Sequence, residues 1–498
     1  MDNRALVAYI NSDVIGELVE HNNIWSFQYS PTWLSHPACF ALSPHLPLGP
    51  DAIVDGGTDR PIQSYFDNLL PEEGARILLA QDAGIRTPED AFALLAHYGA
   101  ESAGSLTLLP PGRAPDTDEM LVPLPDDVLD ARIQALPRVP LSHDAPKKMS
   151  LAGAQHKLAV VLKEGALFEP SGHTPSTHIL KPNHQSADDY PHTVINEWFV
   201  MTLAERAGLE VPAVSRRYAP SPVYLIERFD RTWQGGEWKR LHAIDGCQML
   251  NLARIFKYTS WNLESLGKIV DACRASAIAR VRMFEWLVFC LTVCNGDSHL
   301  KNLSVLVAAD GLRLSPHYDL LSDGVYETAG YSSKGRWPGQ TEFTASVAGI
   351  KRYAEFTRQH VLDVGQALGL APRTAVRLLD ALLGAIPAQA DALLREVEQE
   401  NAIMLRTRPE LGATFAGELQ CLRAIRHIVS RKWRSGWPDD KKPTPTRRLA
   451  SACRCNACAR TQLPLRGTSR RLRTASASVS STLSESSQPM QASVTLWP

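Results

Sequence analysis

Residues 295–302 read Asn-Gly-Asp-Ser-His-Leu-Lys-Asn and directly follow the most apolar stretch of the chain, residues 283–294. Within this motif, Asp297 precedes Asn302 by five positions. That spacing is typical of the catalytic loop of protein kinases, in which the Asp accepts the proton of the substrate hydroxyl and the Asn oxygen binds magnesium. Such a match occurs by chance about once in a chain of this length, so the spacing alone does not establish a site.

The segment after the motif predicts a β-hairpin that brings a carboxylate to the same place. Apolar runs at 303–308 and 312–316 are joined by Ala-Asp-Gly, a sequence that favours a tight turn. Folding the chain about position 310 places Asn302 opposite Tyr318 and Asp319. An amide oxygen and a carboxylate suit Mg²⁺, which takes its other ligands from water and phosphates. The alternative is that Asp297 and Asp319 only cap a turn and a loop.

Upstream of the motif, residues 158–162, 177–181 and 223–228 predict strands, and residues 194–209 predict a helix. Lys181 ends an apolar strand, so its side chain is predicted to reach a cleft and the phosphates of a nucleotide. Glu197, early in the helix, is a candidate partner for it. Both residues also have an ordinary interpretation, because a lysine can extend from a strand edge into water and an acid is favoured at a helix start.

Two further segments have the character of nucleotide-contacting loops. Residues 150–157 are built largely from small side chains, which let backbone N–H groups approach phosphate. They contain a single glycine and match neither G-x-G-x-x-G nor the Walker pattern, so an ordinary loop is an equal alternative. Residues 227–231 close the last predicted strand at a hinge between lobes, where their backbone would meet an adenine ring, although Phe229 could instead be part of the core.

The chain is 498 residues long and carries 52 Lys and Arg against 53 Asp and Glu, a formal net charge of −1. A nearly neutral sum argues against a nucleic-acid coat, and the length allows several domains. The balance is uneven, because residues 431–498 hold 13 basic and 3 acidic residues. This basic tail is rich in Ser, Thr and Arg with few large apolar side chains, so it is predicted to be disordered.

Changes in composition divide the rest of the chain. Residues 110–146 contain eight prolines, which oppose long helices and sheet interiors and predict a connector. The residues before it are typical of a small mixed α/β domain. Strands with one helix follow it, and then mainly helical patterns that include 371–383 and 388–399, so the sequence predicts an α+β, two-lobed arrangement with a cleft.

The sequence also predicts a cytoplasmic protein without a membrane partner. The first residues lack the basic and then apolar run of a signal peptide. The apolar stretch at 283–294 is interrupted by Glu285 and is shorter than the roughly 20 residues needed to span a bilayer.

Together these residues resemble the HipA family of serine/threonine kinase toxins from bacterial toxin–antitoxin systems, over most of residues 1 to about 400. No single segment is decisive, but seven segments occur in the order of the family. They are residues 150–157, 177–182, 196–198, 227–231, 240–242, 296–302 and 318–322. Residues 14–18 and 66–72 are similar to the amino-terminal domain of the family.

The resemblance implies a two-lobed protein-kinase-like fold with a small β-rich N-lobe and a mainly helical C-lobe. A small mixed α/β amino-terminal domain precedes the two lobes, and a disordered basic tail follows them. The implied boundaries are 1–109 for the HipA-like amino-terminal domain, 110–146 for the connector, 147–232 for the N-lobe, 233–430 for the C-lobe and 431–498 for the tail.

The resemblance also implies ATP and Mg²⁺ as cofactors and transfer of the γ-phosphate to a protein serine or threonine. Asp297 would be the catalytic base, Asn302 and Asp319 the metal ligands, and Ser150 the autophosphorylation site, with Glu197 as a partner of Lys181. The residues implied to bind ATP are Ala152, Gly153, Ala154, Gln155, Lys157, Lys181, Glu227, Phe229, Asp230, His299, Asn302 and Asp319.

The implied partners are a HipB-like helix-turn-helix antitoxin, DNA reached through that antitoxin, and an aminoacyl-tRNA synthetase of the glutamyl type as protein substrate. Two other hypotheses stay open on the sequence. One is a non-catalytic regulatory protein that binds an antitoxin–DNA complex, with its basic tail adding salt-sensitive affinity for DNA. The other is a small-molecule phosphotransferase on the same fold.

Overall fold

The computed structural model describes residues 3–430. Its first part is an antiparallel five-stranded sheet in the order β4-β3-β2-β1-β5, and the buried side chains of this sheet join those of its helices in one core. The elements are β1 (Arg4–Ile10), β2 (Asp13–His21), β3 (Ile24–Tyr29), α1 (Pro31–Leu34), β4 (Ile53–Val54), α2 (Pro61–Asp67), α3 (Glu73–Asp82), α4 (Ala91–Tyr98) and β5 (Leu106–Leu109).

The second part is a six-stranded sheet in the order β10-β11-β9-β7-β8-β6, with a second, smaller core beneath it. The strands predicted at 158–162, 177–181 and 223–228 are confirmed as β7, β9 and β11. The elements are β6 (Glu119–Pro123), α5 (Asp126–Ala135), β7 (Leu158–Lys163), β8 (Ala166–Gly172), β9 (His178–Pro182), α6 (Thr193–Arg206), β10 (Val214–Tyr218) and β11 (Pro222–Glu227).

The third part is mainly helical and contains three small sheets. Its strands and α-helices are β12 (Arg231–Gln234), β13 (Glu237–Arg240), β14 (His242–Asp245), α7 (Gly246–Met249), α8 (Leu263–Ala272), α9 (Ser276–Val293), β15 (Ser304–Ala308), β16 (Gly311–Leu314), β17 (Glu342–Val347), β18 (Ile350–Arg352), α10 (Arg358–Ala367), α11 (Pro372–Met404) and α12 (Gly412–Ala424). Short 3₁₀ turns cover Arg254–Phe256, Leu300–Asn302, Asp323–Glu327, Tyr353–Glu355 and Pro409–Leu411, and Ile425–Val429 is a π-helix.

The predicted hairpin after the motif is present as β15 and β16. Ala308 pairs with Gly311, so the turn is centred between residues 309 and 310 and the register differs by one residue from the predicted one. The hydroxyl of Tyr318 nevertheless donates a hydrogen bond to the carbonyl of Lys301 at 2.9 Å. The hairpin therefore returns the chain to the end of the motif, as the sequence predicts.

Two helix predictions need correction. The patterns at 371–383 and 388–399 are one helix, α11, with Pro387 inside it. The helix continues across this proline because one apolar face stays buried on both sides of it, at Leu382 and Ile386 before and at Leu393 after. The Pro-rich connector also contains a ten-residue helix, α5, whose Leu129 is buried in the second core.

The fold class is the predicted one: a β-rich lobe and a mainly helical lobe preceded by a small mixed domain. Among residues 3–430, no helix is long and apolar enough to cross a membrane. The disorder predicted for residues 431–498 concerns a part of the chain outside the described residues.

Candidate active site

The catalytic-loop motif begins where the buried helix α9 ends. Cys294 terminates the helix in the left-handed conformation, with φ of 55°. The carboxylate of Asp323 then accepts hydrogen bonds from the N–H groups of Gly296 at 2.7 Å and Asp297 at 3.1 Å. Burial, and after it the charge of Asp297, raises the pKa of Asp323 to about 7. One buried acid therefore holds the backbone of the loop.

Asp297 extends from this loop with its side chain 40% exposed. Its Oδ1 accepts a hydrogen bond from the hydroxyl of Tyr258 at 2.7 Å. Asn302 donates its amide N–H to the carbonyl of Asp297 at 2.7 Å, which closes the loop. Among residues 3–430, no side chain or backbone group donates to Oδ1 of Asn302, so that oxygen is available as a ligand.

His299 lies on the inner side of the loop. Its ring meets the ring of Tyr258 edge-on at 4.9 Å, and its Nε2 is 3.6 Å from Oδ1 of Asp297. Burial lowers the pKa of His299 below its usual value, although Asp297 acts in the opposite direction. A neutral imidazole at this position can hydrogen-bond without adding positive charge beside Asp297.

A buried cluster of ionised groups lies across the cleft. Nζ of Lys181, from β9, donates to Oε1 of Glu197 on α6 at 2.7 Å and is also bonded to Asp319. Burial alone would lower the pKa of Lys181, but Asp319 and Glu197 raise it above its usual value. Burial raises the pKa of Glu197, whereas the pKa of the other partner, Asp319, is lowered. The two acids that share Lys181 therefore shift in opposite directions, and Lys181 itself is charged.

Asp319 has an uncommon backbone conformation for a residue other than glycine. Its φ is 54°, in the left-handed region that non-glycine residues enter at a cost. Burial would raise the pKa of Asp319, but the ammonium groups of Lys181 and Lys157 lower it below its usual value. The carboxylate is therefore ionised and already paired with the group expected to contact phosphate.

The loop from Ser150 to Lys157 folds back on its own lysine. Gly153 has φ of 111°, and a Cβ added there would be 2.5 Å from Nζ of Lys157. Nζ of Lys157 donates to the carbonyl of Ala152 at 2.8 Å. Burial lowers the pKa of this lysine. Ala154 is exposed, and Gln155 is half-buried with Nε2 3.4 Å from the carbonyl of Pro182.

The start of this loop is attached to the amino-terminal part of the chain. Ser150 is fully buried, and its hydroxyl donates to the carbonyl of Leu69 at 2.7 Å. Its N–H donates to the carbonyl of Glu101 at 2.8 Å, and the N–H of Glu72 donates to the carbonyl of Gly153 at 3.1 Å. The hydroxyl of Ser150 is therefore inaccessible in this conformation.

The predicted hinge segment, residues 227–231, begins at the last residue of β11 and contains exposed and buried side chains. Glu227 is exposed, and the half-buried Phe229 stacks on Tyr318 with ring centroids 5.4 Å apart. Asp230 is buried, and its carboxylate accepts hydrogen bonds from Arg228 at 2.6 and 2.9 Å and from the N–H of Gly104 at 2.7 Å. Its predicted contact with ATP would have to compete with these three bonds.

Two family models match this chain, the HipA N-terminal domain over residues 6–109 and the HipA-like C-terminal domain over residues 149–390. "Putative kinase Y4mE" of Sinorhizobium fredii is 34% identical over 337 residues, which cover 65% of this chain and 78% of that protein. "Serine/threonine-protein kinase toxin HipA" of Shewanella oneidensis is 30% identical over 344 residues, 65% of this chain and 76% of that protein. The chain belongs to the HipA family.

A solved structure supports the same assignment at the level of the fold. It is a complex of HipA, HipB and operator DNA from Shewanella oneidensis MR-1, with a TM-score of 0.65 and 24% sequence identity. The match covers 86% of this chain and 99% of that chain. This match shows the fold, and the two relatives at 34% and 30% identity make the present protein a kinase of the HipA type.

The HipA-family resemblance implies a magnesium ion, and the donor set of the site fits one. Asn302 offers a free amide oxygen and Asp319 an ionised carboxylate, as Mg²⁺ prefers. Among residues 3–430, no group of three or more His, Cys, Asp or Glu side chains is arranged to hold a metal, so the candidate site has only these two protein ligands. A site with few protein ligands leaves room for water and phosphate oxygens.

Sequence reasoning missed the residues that attach the loop to the amino-terminal domain. Nζ of Lys301 contacts Oδ1 of Asn68 at 2.9 Å, Asp245 at 2.8 Å and Glu72 at 3.5 Å. Burial would raise the pKa of Glu72, but Lys301 and Lys257 lower it to about 2. The available signal was the similarity of residues 66–72 to the family's amino-terminal domain, which carries no role by itself.

Proposed function

We propose that this HipA-family kinase transfers the γ-phosphate of ATP to a serine or threonine of a protein and acts as the toxin of a toxin–antitoxin pair. One observation carries the proposal: Lys181, Glu197 and Asp319 form a buried ionic cluster, while Asp297 and Asn302 are held on a loop after α9. These are the groups that phosphoryl transfer needs for phosphate binding, metal binding and proton acceptance.

In the proposed reaction, a carboxylate oxygen of Asp297 accepts the proton of the acceptor hydroxyl. The hydroxyl oxygen bonds to the γ-phosphorus as the bond from that phosphorus to the bridging oxygen breaks, and ADP leaves with the bridging oxygen. Tyr258 donates to Oδ1 of Asp297 at 2.7 Å, which orients the carboxylate and leaves Oδ2 for the proton. Asp323 fixes the peptide groups beneath. The loop therefore supplies a base whose direction is set before substrate binds.

Phosphate binding requires Lys181 to exchange one of its two carboxylate partners for phosphate. Lys181 keeps Glu197 as its partner at 2.7 Å while its contact with Asp319 is replaced by phosphate oxygens. Asn302 and Asp319 would then hold Mg²⁺, which neutralises charge on the phosphates. Lys157 gives up the carbonyl of Ala152 for the same phosphates. Glu227 and Phe229 are proposed to meet the adenine.

The proposed protein substrate is an aminoacyl-tRNA synthetase of the glutamyl type, and the proposed restraint is a HipB-like helix-turn-helix antitoxin. The related structure with HipB and operator DNA supports this partner and a contact with DNA through it. We also propose autophosphorylation at Ser150. Because its hydroxyl is buried against Leu69, the loop must leave this position first. The added charge of about −1.5 to −2 then opposes its return beside ATP phosphates.

The test is transfer of label from γ-labelled ATP by the purified full chain, to itself and to purified glutamyl-tRNA synthetase. We expect labelling that Asp297→Asn reduces by about 10³-fold, in the range of a lost general base. The matched control is Asp310→Asn, an exposed aspartate of the hairpin turn paired with Arg274, which should change nothing. Undiminished transfer by Asp297→Asn would remove Asp297 from the role of base.

Ser150→Ala separates the two acceptors. We expect it to lose label on itself and to keep transfer to the synthetase. Label on the synthetase that falls together with self-label would contradict the role of Ser150 as a regulatory acceptor. Label on neither acceptor by the unsubstituted chain would contradict the proposed function itself.

A further inference from the structure

The segment Arg254–Tyr258 has its polarity reversed relative to an ordinary surface turn. Ile255 is 68% exposed, Phe256 44% and Tyr258 37%, while Lys257 is buried. These three exposed residues, Ile255, Phe256 and Tyr258, are called here the docking patch. Large apolar side chains grouped on a surface, with a charged one turned inward, are typical of a binding site for another molecule.

The segment is held firmly, so the exposure does not come from a loose loop. Arg254 donates to Asp67 at 2.9 Å and to Glu89 at 2.6 Å. Nζ of Lys257 donates to Glu72 at 2.6 Å. The charged side chains therefore attach the segment to the amino-terminal domain and hold the apolar side chains outward.

The docking patch is also directly connected to the candidate base. The hydroxyl of Tyr258 is 2.7 Å from Oδ1 of Asp297. The N–H of Leu300, in the catalytic-loop motif, donates to the carbonyl of Lys257 at 3.2 Å. A polypeptide seated on Ile255 and Phe256 would therefore pass next to Asp297.

Three carboxylates next to the patch face solvent, whereas the two cations of its own segment do not. The side chains of Glu89, Glu73 and Asp297 are 71%, 43% and 40% exposed, whereas those of Arg254 and Lys257 are 18% and 9% exposed. Both cations are already paired with carboxylates. The surface thus favours a partner that combines an apolar side chain with a positive one.

We propose that the docking patch binds the segment of the protein substrate that carries the acceptor hydroxyl, with a large apolar side chain on Ile255 and Phe256 and a Lys or Arg facing Glu73. This inference rests on the proposed kinase function. It adds the sequence chemistry that the enzyme selects, an apolar and a basic residue at fixed distances from the serine or threonine.

The test uses a positional-scanning library of Ser/Thr peptides and γ-labelled ATP. The unsubstituted chain should prefer a large apolar residue at one position and Lys or Arg at another. The double variant Ile255→Ser/Phe256→Ser should lose the apolar preference, with kcat/KM for the preferred peptide falling about 10-fold through KM, as the loss of two apolar contacts implies. Glu73→Gln should weaken only the basic preference.

The matched control is Ile278→Ser/Ile403→Ser, which removes two side chains that are each 63% exposed on α9 and α11. It should keep both preferences, and all of these variants should keep self-labelling. If the patch variant keeps the apolar preference, or the unsubstituted chain labels itself but no peptide, the docking proposal is wrong while the kinase proposal stands. Failure of the unsubstituted chain to label itself, the synthetase or any peptide removes both.

Discussion

Two clusters of buried charge in this kinase both combine carboxylates with cationic side chains, but they are arranged for different purposes. The cleft cluster contains Lys181, Glu197 and Asp319, with Lys157 nearby. The Glu101 cluster contains Glu101 and four cations, Lys147, Arg228, Arg231 and Arg240. Two of these cations, Arg228 and Arg231, also pair with Asp230. Asp319 is 19% exposed and contacts groups that must change partners, whereas Glu101 is 0% exposed.

The difference lies in how many cations surround each carboxylate. Glu101 accepts from the N–H of Ser176 at 3.0 Å and lies within 3.1–3.6 Å of all four cations. Burial would raise its pKa, but these cations lower it well below the usual value. In the cleft, one lysine is shared between two acids. A carboxylate enclosed by four cations stabilises a fold, whereas a lysine shared between two acids can exchange one of them for a ligand.

The largest effect should follow from the cleft cluster. Asp319→Asn keeps the size and the tolerance for φ of 54° but removes the charge. We expect phosphate transfer to fall on the order of 10⁴-fold, within the range carried by single charge contacts in phosphoryl transfer, or about 5 kcal/mol of activation free energy. Single-turnover transfer from γ-labelled ATP measures it.

The thermal unfolding midpoint of Asp319→Asn should stay near that of the unsubstituted chain, because Glu197 still pairs with Lys181. Asp310→Asn on the exposed turn is the control for both readouts. Loss of folding in place of activity would mean that the cleft cluster is structural, and the contrast between the clusters would disappear.

The second prediction concerns the Glu101 cluster, where we expect a substitution to lower the stability of the fold. Glu101→Gln removes the carboxylate that lies close to all four buried cations, and breaking a buried ionic network in this way costs about 3–5 kcal/mol. We expect that loss in the free energy of unfolding, measured by urea denaturation. The exposed Glu410→Gln, next to Arg408 at 3.0 Å, should leave the denaturation midpoint unchanged. A Glu101→Gln protein as stable as the original would show that the surrounding hydrogen bonds suffice without the charge.

Much of the cleft could be predicted from the sequence, and the Glu101 cluster could not. Asp297, Asn302 and Asp319 lie within 23 residues, and the apolar helix before them and the turn between them fix their order. Glu101 and Arg228 are 127 residues apart, and no local pattern pairs them. Lys301 lies inside the motif, yet its contact with Asn68 joins residues 233 positions apart. Such contacts depend on how the parts of the chain pack.

Asp323 is another residue whose contacts no local sequence pattern predicts, and it gives the third prediction. Its pKa in the folded protein is about 7, above the usual 3.8, so the folded state binds this proton more tightly than the unfolded state. The free energy of unfolding therefore decreases as pH rises from about 4 to 7, with a slope of at most about 1.4 kcal/mol per pH unit from this group. Asp323→Asn lacks that contribution and can still accept from Gly296 and Asp297.

We expect the stability of Asp323→Asn relative to the unsubstituted chain to rise over that pH range and to level off above it. Urea denaturation at several pH values measures the difference, and other titrating groups, such as Glu197, largely cancel in it. Asp310→Asn should give a difference that is flat with pH. A flat difference for Asp323→Asn would show that this acid is ionised throughout and is held only by its two N–H donors.

The smallest effect should come from a pair with the same chemistry and no burial. Arg206 and Glu396 are 2.6 Å apart, with side chains 30% and 47% exposed. Because water screens the charges and both side chains lose freedom when they pair, Glu396→Gln should lower the free energy of unfolding by at most about 0.5 kcal/mol. That loss should vanish at roughly 1 M salt, where charges are screened within about 3 Å.

The loss from Glu101→Gln should persist at the same salt concentration, since ions do not reach a sealed cluster. If both losses respond equally to salt, ions reach both sites, and the Glu101 cluster stabilises the fold only as a solvated surface pair does.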